Sequence, residues 1–308
     1  MNLRLVIFGC LLLSTWSVGN GQSPLPVNSG HLLQTPMLSQ GEPAPGKRVA
    51  VIPVEYAETD VHHTVYLPQD WTADGESLPI IFEYTGNHFP ASGSTGEVAD
   101  AGLGFGLSAG QFIWVTLPFI SNDHQRNQIT WWGDEQATVE YAKTNVPRVI
   151  KQFSADPDQV FLCGFSRGAI AVNYIGLHDD EIANLWTAFI THDHFDGVRE
   201  WKGTGWGSPL ARYRSEARER LKRVGDRPYL ICQNGSYGTE EFIRNLLPGA
   251  RNFTYLPVNT SEALGPFPNE FAKAGHNDRW LNRPSRYRSA AWNWMNRVLS
   301  EQPAKTTD

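Results

Sequence analysis

The chain has 308 residues, 41% of them hydrophobic, and a net charge of −6. That is enough apolar content for one large domain or two small ones. No long basic run is present, which argues against a nucleic-acid partner. Three cysteines are too few for a disulfide-stapled scaffold, and eleven tryptophans are many.

Residues 1–19 carry the marks of a secretory signal peptide: Arg4, an apolar run from Leu5 to Leu13, and the small residues of Ser17-Val18-Gly19. The apolar run is too short to span a bilayer. Export to the periplasm or the medium is therefore expected, with no stable membrane association after cleavage; an uncleaved anchor is the alternative. Residues 20–46, rich in Pro, Ser, Gly and Gln, read as a flexible segment, and 303–308 as a disordered tail. Residues 47–302 between them read as the folded domain.

Arg48–Glu55 and Val61–Leu67 read as paired strands. Six more short apolar runs follow: Pro79–Tyr84, Phe112–Pro118, Val160–Cys163, Trp186–Thr191, Pro228–Cys232 and Phe253–Pro257. Val139, Ala142, Val146 and Ile150 give one helix face. Other helices are predicted after Ser166, over Ala211–Leu221 and Glu240–Leu247, and where Ala291, Trp294, Met295 and Val298 form a stripe. Ala91–Gly110 is glycine-rich and reads as a mobile rim. Strands alternating with helices predict an α/β fold, a mostly parallel eight-stranded sheet with helices on both faces. Cys163 and Cys232, each inside a predicted strand, are expected as separate buried thiols.

Gly164-Phe165-Ser166-Arg167-Gly168 lies between the apolar Val160–Cys163 and the helical Ala169–Val172. This is a G-x-S-x-G turn in a strand–turn–helix setting, the nucleophile elbow of α/β-hydrolases. A serine that merely caps the helix is the alternative. His63-Thr64-Val65-Tyr66-Leu67-Pro68, Leu78–Phe82 and Asp156–Ser166 also resemble secreted esterases of the feruloyl esterase and polyhydroxybutyrate depolymerase type. That resemblance spans about residues 47–175 and implies an α/β-hydrolase fold, an ester substrate and no cofactor.

A serine nucleophile needs a base, and the fold places serine, acid and histidine in that chain order. His276, in Ala274-Gly275-His276-Asn277-Asp278, is the only histidine after His194. The acid is open. Asp193 and Asp196 follow the sixth predicted strand, and Glu240 and Glu241 follow the seventh. The oxyanion donors are expected at the N–H of Arg167 and at Asn87 or Gly86. Trp131 and Trp132 are candidates for an aromatic substrate wall. The side chain of Arg167 is a candidate for a substrate carboxylate or a structural ion pair.

Thr191–Gly197 resembles the T-H-x-H-x-D-H motif of metallo-β-lactamase-type hydrolases, with His192, His194 and Asp196 as candidate zinc ligands and Gly197 where the last histidine belongs. His62 and His63, adjacent on a strand, point to opposite faces and make a poor joint ligand pair. The reading is thus a secreted serine esterase acting on a small-molecule or polysaccharide-linked ester, such as acetylated or feruloylated polysaccharide. A metal-dependent hydrolase and an inactive hydrolase-fold binding protein are the rivals.

Overall fold

The computed structural model describes residues 24–90, 93–235, 238–265 and 275–301. The expected signal peptide, residues 20–23 of the N-terminal segment, residues 91–92 of the glycine-rich rim and the 303–308 tail lie outside them. Among the described residues the strands are β1 (Leu38–Ser39), β2 (Arg48–Val51), β3 (His63–Tyr66), β4 (Ile80–Tyr84), β5 (Ile113–Leu117), β6 (Val160–Phe165), β7 (Ala188–His192), β8 (Tyr229–Gln233) and β9 (Phe253–Pro257). The α-helices are α1 (Leu103–Ser108), α2 (Glu135–Gln152), α3 (Arg167–Tyr174), α4 (Asp180–Ala183), α5 (Leu210–Lys222), α6 (Thr239–Leu246), α7 (Thr260–Leu264) and α8 (Arg286–Glu301).

The strands form one sheet in the order β1-β2-β3-β5-β4-β6-β7-β8-β9. β3 runs antiparallel to β2 and β5, and the other pairs are parallel. Without the two-residue β1, this is the eight-strand order of the α/β-hydrolase fold, with the serine after the fifth strand. The sheet thus has nine strands where eight were expected. The extra one comes from the segment read as flexible. Residues 25–31 of that segment lie against α8: the Leu25 N–H donates to Asn296 Oδ1 at 2.8 Å, and Arg288 donates to the carbonyls of Ser29 and His31.

The central strands are buried on both faces, as parallel strands covered by helices must be. One apolar layer joins the sheet to α2, α3 and α5, and the other joins it to α1 and α8. Trp114, Trp186, Trp280 and Trp292 are fully buried, so much of the tryptophan content is core. Cys163 on β6 and Cys232 on β8 are buried and unbridged, with β7 between them.

Two local expectations change. The strand from Arg48 ends at Val51, because Pro53 cannot donate to a ladder; a 3₁₀ turn at Val54–Tyr56 follows. The glycine-rich rim contains the wholly buried helix α1. A remote carboxylate caps it: Glu83 on β4 accepts the N–H groups of Leu103 (3.1 Å) and Gly104 (2.8 Å), and the Trp114 indole N–H (2.9 Å). Burial pushes the Glu83 pKa up to about 7.

Candidate active site

Ser166 sits where β6 turns into α3, at φ 55° and ψ −115°, a backbone conformation that L-residues seldom hold. The glycines of the motif show why the turn closes. A Cβ on Gly168 would stand 1.7 Å from the Tyr84 carbonyl oxygen, and one on Gly164 would stand 2.2 Å from that of Gly168. The helix start can therefore drop onto the end of β4 only if both positions lack side chains. The Ser166 N–H donates to His192 O at 3.0 Å, which ties the turn to the end of β7. Phe165 and Arg167 are buried on either side, whereas Ser166 is partly exposed.

His276 reaches this serine from a loop before α8. Its Nε2 is 2.8 Å from Ser166 Oγ, and its Nδ1 is 2.7 Å from Asp193 Oδ2. A carboxylate at Nδ1 holds the ring proton there, leaving the Nε2 lone pair to accept from the serine hydroxyl. Asp193 is 1% exposed, and its second oxygen accepts the Asn234 N–H at 2.7 Å. Burial by itself would raise the Asp193 pKa. The neighbouring His192, the hydrogen bond to His276 and the Asn234 N–H outweigh it and hold the carboxyl below its ordinary range.

The other candidate acids lie elsewhere. Asp196 is held by Arg220 through bonds of 2.7 and 3.1 Å. Glu240 is exposed and pairs with Arg244 at 2.6 Å, and Glu241 is exposed on the first turn of α6. Both glutamates occupy positions that the helix dipole favours.

The zinc-motif residues diverge. His192 is fully buried and donates from Nε2 to Asn277 O at 2.9 Å. The His194 ring packs 5.1 Å from that of His276, and Asp196 faces Arg220. Among the described residues, no group of three or more His, Cys, Asp or Glu side chains could hold a metal ion. His63 is also committed, with Nδ1 2.8 Å from the Tyr141 hydroxyl.

His192 therefore serves a different end: it anchors the residue that follows His276. Asn234, just past the end of β8, anchors the residue that precedes His276, donating to Gly275 O at 2.6 Å while its N–H holds Asp193. Sequence reasoning reaches neither tether. Both are contacts across 41 to 85 residues of sequence, which no local pattern reports.

Arg167 opens α3, so its N–H has no preceding helical turn to serve and points out at the helix start. Gly86, two residues past the end of β4, is close by: a Cβ there would be 3.5 Å from that of Ser166. No loop or turn bond to a backbone carbonyl ties up the N–H of Gly86 or Asn87 among the described residues. The Arg167 side chain forms no ion pair there. It is 1% exposed and donates to the carbonyls of Trp131 (2.8 Å), Gln128 (3.0 Å), Gly96 (3.2 Å) and Thr85 (3.4 Å), with its guanidinium over Phe119. Burial pulls its pKa down to about 9, so it remains protonated at neutral pH. This arginine locks the loops around the serine rather than meeting a substrate carboxylate.

The two tryptophans part ways. Trp132 is buried, stacked on Tyr174 with centroids 4.8 Å apart, and belongs to the core. Trp131 is half-buried at φ 52°, held by its N–H to Asn87 Oδ1 (2.8 Å) and by Arg167 at its carbonyl. Its ring meets Trp201 and Trp206, each at 5.0 Å. Trp201 in turn packs 5.3 Å from His194, so the aromatic wall runs to the ring beside His276. Trp201 and Trp206, on an irregular glycine-rich loop, gave no periodic signal to find them by.

No protein-family profile and no curated protein matches this chain. In structure it is similar to a feruloyl esterase module from Clostridium thermocellum (14% identity, 73% of this chain and 88% of that one, TM-score 0.45). It is also similar to a thermostable carboxylesterase from a metagenomic library (13%, 86% and 92%, TM-score 0.46). A third similar structure is an S-formylglutathione hydrolase from Agrobacterium tumefaciens (18%, 72% and 90%, TM-score 0.45). At such scores none of them assigns a reaction to this chain, and its chemistry must be argued from its own side chains.

Proposed function

We propose that the protein is a serine hydrolase of carboxylic esters. The carrying observation is the unbroken chain from Ser166 Oγ through His276 to the buried Asp193, with links of 2.8 and 2.7 Å. The Ser166 hydroxyl attacks the ester carbonyl while His276 Nε2 takes its proton. The N–H groups of Arg167 and of Asn87 or Gly86 receive the developing oxyanion. Collapse expels the alcohol, which takes the proton from Nε2 and leaves an acyl-serine. Water then attacks the acyl carbon, losing its proton to His276 Nε2, which returns it to Ser166 Oγ as the acyl bond breaks and the acid departs. Asp193 keeps the imidazole in the required tautomer and stabilises its protonated form. His194 beside it is kept neutral, because burial pulls its pKa down to about 3. It therefore adds no repulsive charge when His276 takes a proton.

The substrate we favour is an ester carried on a ring-bearing alcohol, such as a polysaccharide. The half-buried Trp131, Trp201 and Trp206 supply apolar ring faces next to the base. The signal-like residues 1–19 favour export, and no described helix is long and apolar enough to cross a membrane.

Hydrolysis of a chromogenic acetate ester by the protein and by Ser166→Ala, each with and without chelator, tests the reaction. The expected result is a chelator-insensitive activity that collapses in the variant. Activity that survives the mutation but fails with chelator would establish a metal-dependent route. No turnover of any ester would favour the binding-protein alternative.

A further inference from the structure

Beside Ser166 lies a cleft of about 50 Å³ whose lining includes none of Trp131, Trp201 and Trp206. Its inner wall is Thr85, Gly86, Phe165 and His276, three of which flank the serine directly. The Phe165 and His276 rings meet at 4.5 Å, and Gly86 leaves room that a side chain would fill, since its Cβ would lie 3.3 Å from Phe165. The outer wall is an ion pair, Arg279 Nη2 to Asp100 Oδ1 at 3.0 Å.

That wall is braced. Asp100 Oδ2 accepts the Thr95 N–H at 2.9 Å, and Asp278 Oδ2 accepts the Gly102 N–H at 3.1 Å. Residues 95–102 are thereby fastened to the residues that follow His276. A cavity needs roughly 10–15 Å³ to hold one water, so this cleft admits only about four water-sized groups. Sites for larger organic ligands run to about 300–1,000 Å³. A two-carbon acyl group is on the scale of this cleft, whereas a feruloyl group belongs with the larger sites.

Resting on the esterase reading above, we propose that this cleft is the acyl pocket, that it selects acetyl esters, and that the Asp100–Arg279 pair sets its length. The enzyme then removes acetyl groups, and the bulk of its substrate lies in the alcohol.

The test is kcat/KM for p-nitrophenyl acetate, butyrate and hexanoate, all with one leaving group, in the parent protein, Arg279→Ala and Asp100→Ala. The parent should favour acetate over hexanoate by at least about 100-fold, a low figure for four extra methylenes when a pocket can impose roughly tenfold or more on each. Either variant, by opening the outer wall, should raise the hexanoate-to-acetate ratio at least about tenfold. Hexanoate within threefold of acetate in the parent, or ratios unmoved in both variants, would overturn the pocket assignment. Fluorophosphonate labelling of the same samples separates the two levels. Absent labelling with no ester hydrolysed refutes the serine reading, whereas labelling with a preference for hexanoate refutes the acyl pocket alone.

Discussion

Replacing Asp193 by asparagine changes one atom and should remove nearly all activity. Asp193 Oδ1 accepts the Asn234 N–H at 2.7 Å, and Oδ2 faces His276 Nδ1 at 2.7 Å. In the amide only the oxygen can accept from Asn234, so the NH₂ must turn toward His276. It then donates to Nδ1, forcing the ring proton onto Nε2, where it blocks acceptance from Ser166. In a serine-protease triad the same change costs about 10⁴-fold in kcat, or about 5 kcal/mol in the barrier. We expect kcat/KM for an acetate ester to fall by about 10³–10⁴, with urea unfolding shifted little because the shape is kept. Asp196→Asn should do the reverse, retaining activity while losing stability, since Arg220 is left without its buried carboxylate. Asp193→Asn within tenfold of the parent would refute the assignment of the acid and the tautomer argument with it.

Three further outcomes follow from the geometry. Gly168→Ala places a Cβ 1.7 Å from a backbone carbonyl oxygen, so urea unfolding should show a loss at or above about 1–3 kcal/mol. Arg167→Lys keeps a charge but not the fork that serves four carbonyls, so kcat should fall at least about tenfold while circular dichroism stays that of a folded α/β protein. His63 is nearly fully buried, and burial pulls its pKa down to about 4. Between that value and about 6.5 the unfolded chain binds the proton and the folded one does not, so folding weakens as pH falls through this window. Urea titrations at pH 7 and pH 4 should show His63→Gln losing about 3 kcal/mol less stability than the parent over that interval.

The elbow was legible because its determinants are local: a strand, two glycines that permit a close approach, and a helix. His276 was legible by chain order alone. Asp193 was named ahead of Asp196 but not separated from it by any local pattern, because the two differ by three positions and their surroundings are set by partners far away in sequence, Asn234 for one and Arg220 for the other. α1 was hidden because its glycines weaken helix propensity; a remote glutamate and a packed sheet supply what the segment lacks. The two adjacent tryptophans could be separated only by the turn at Trp131, which sends one ring to the core and the other to the wall.

The most direct measurement is peptide-mapped mass analysis after exposure to a fluorophosphonate, with ester turnover followed on the same sample. The account predicts one adduct per chain, on Ser166, with activity lost in proportion to labelling and neither seen in His276→Ala. Full activity in a protein that carries no adduct at Ser166, or labelling at another residue that tracks the loss, would contradict it.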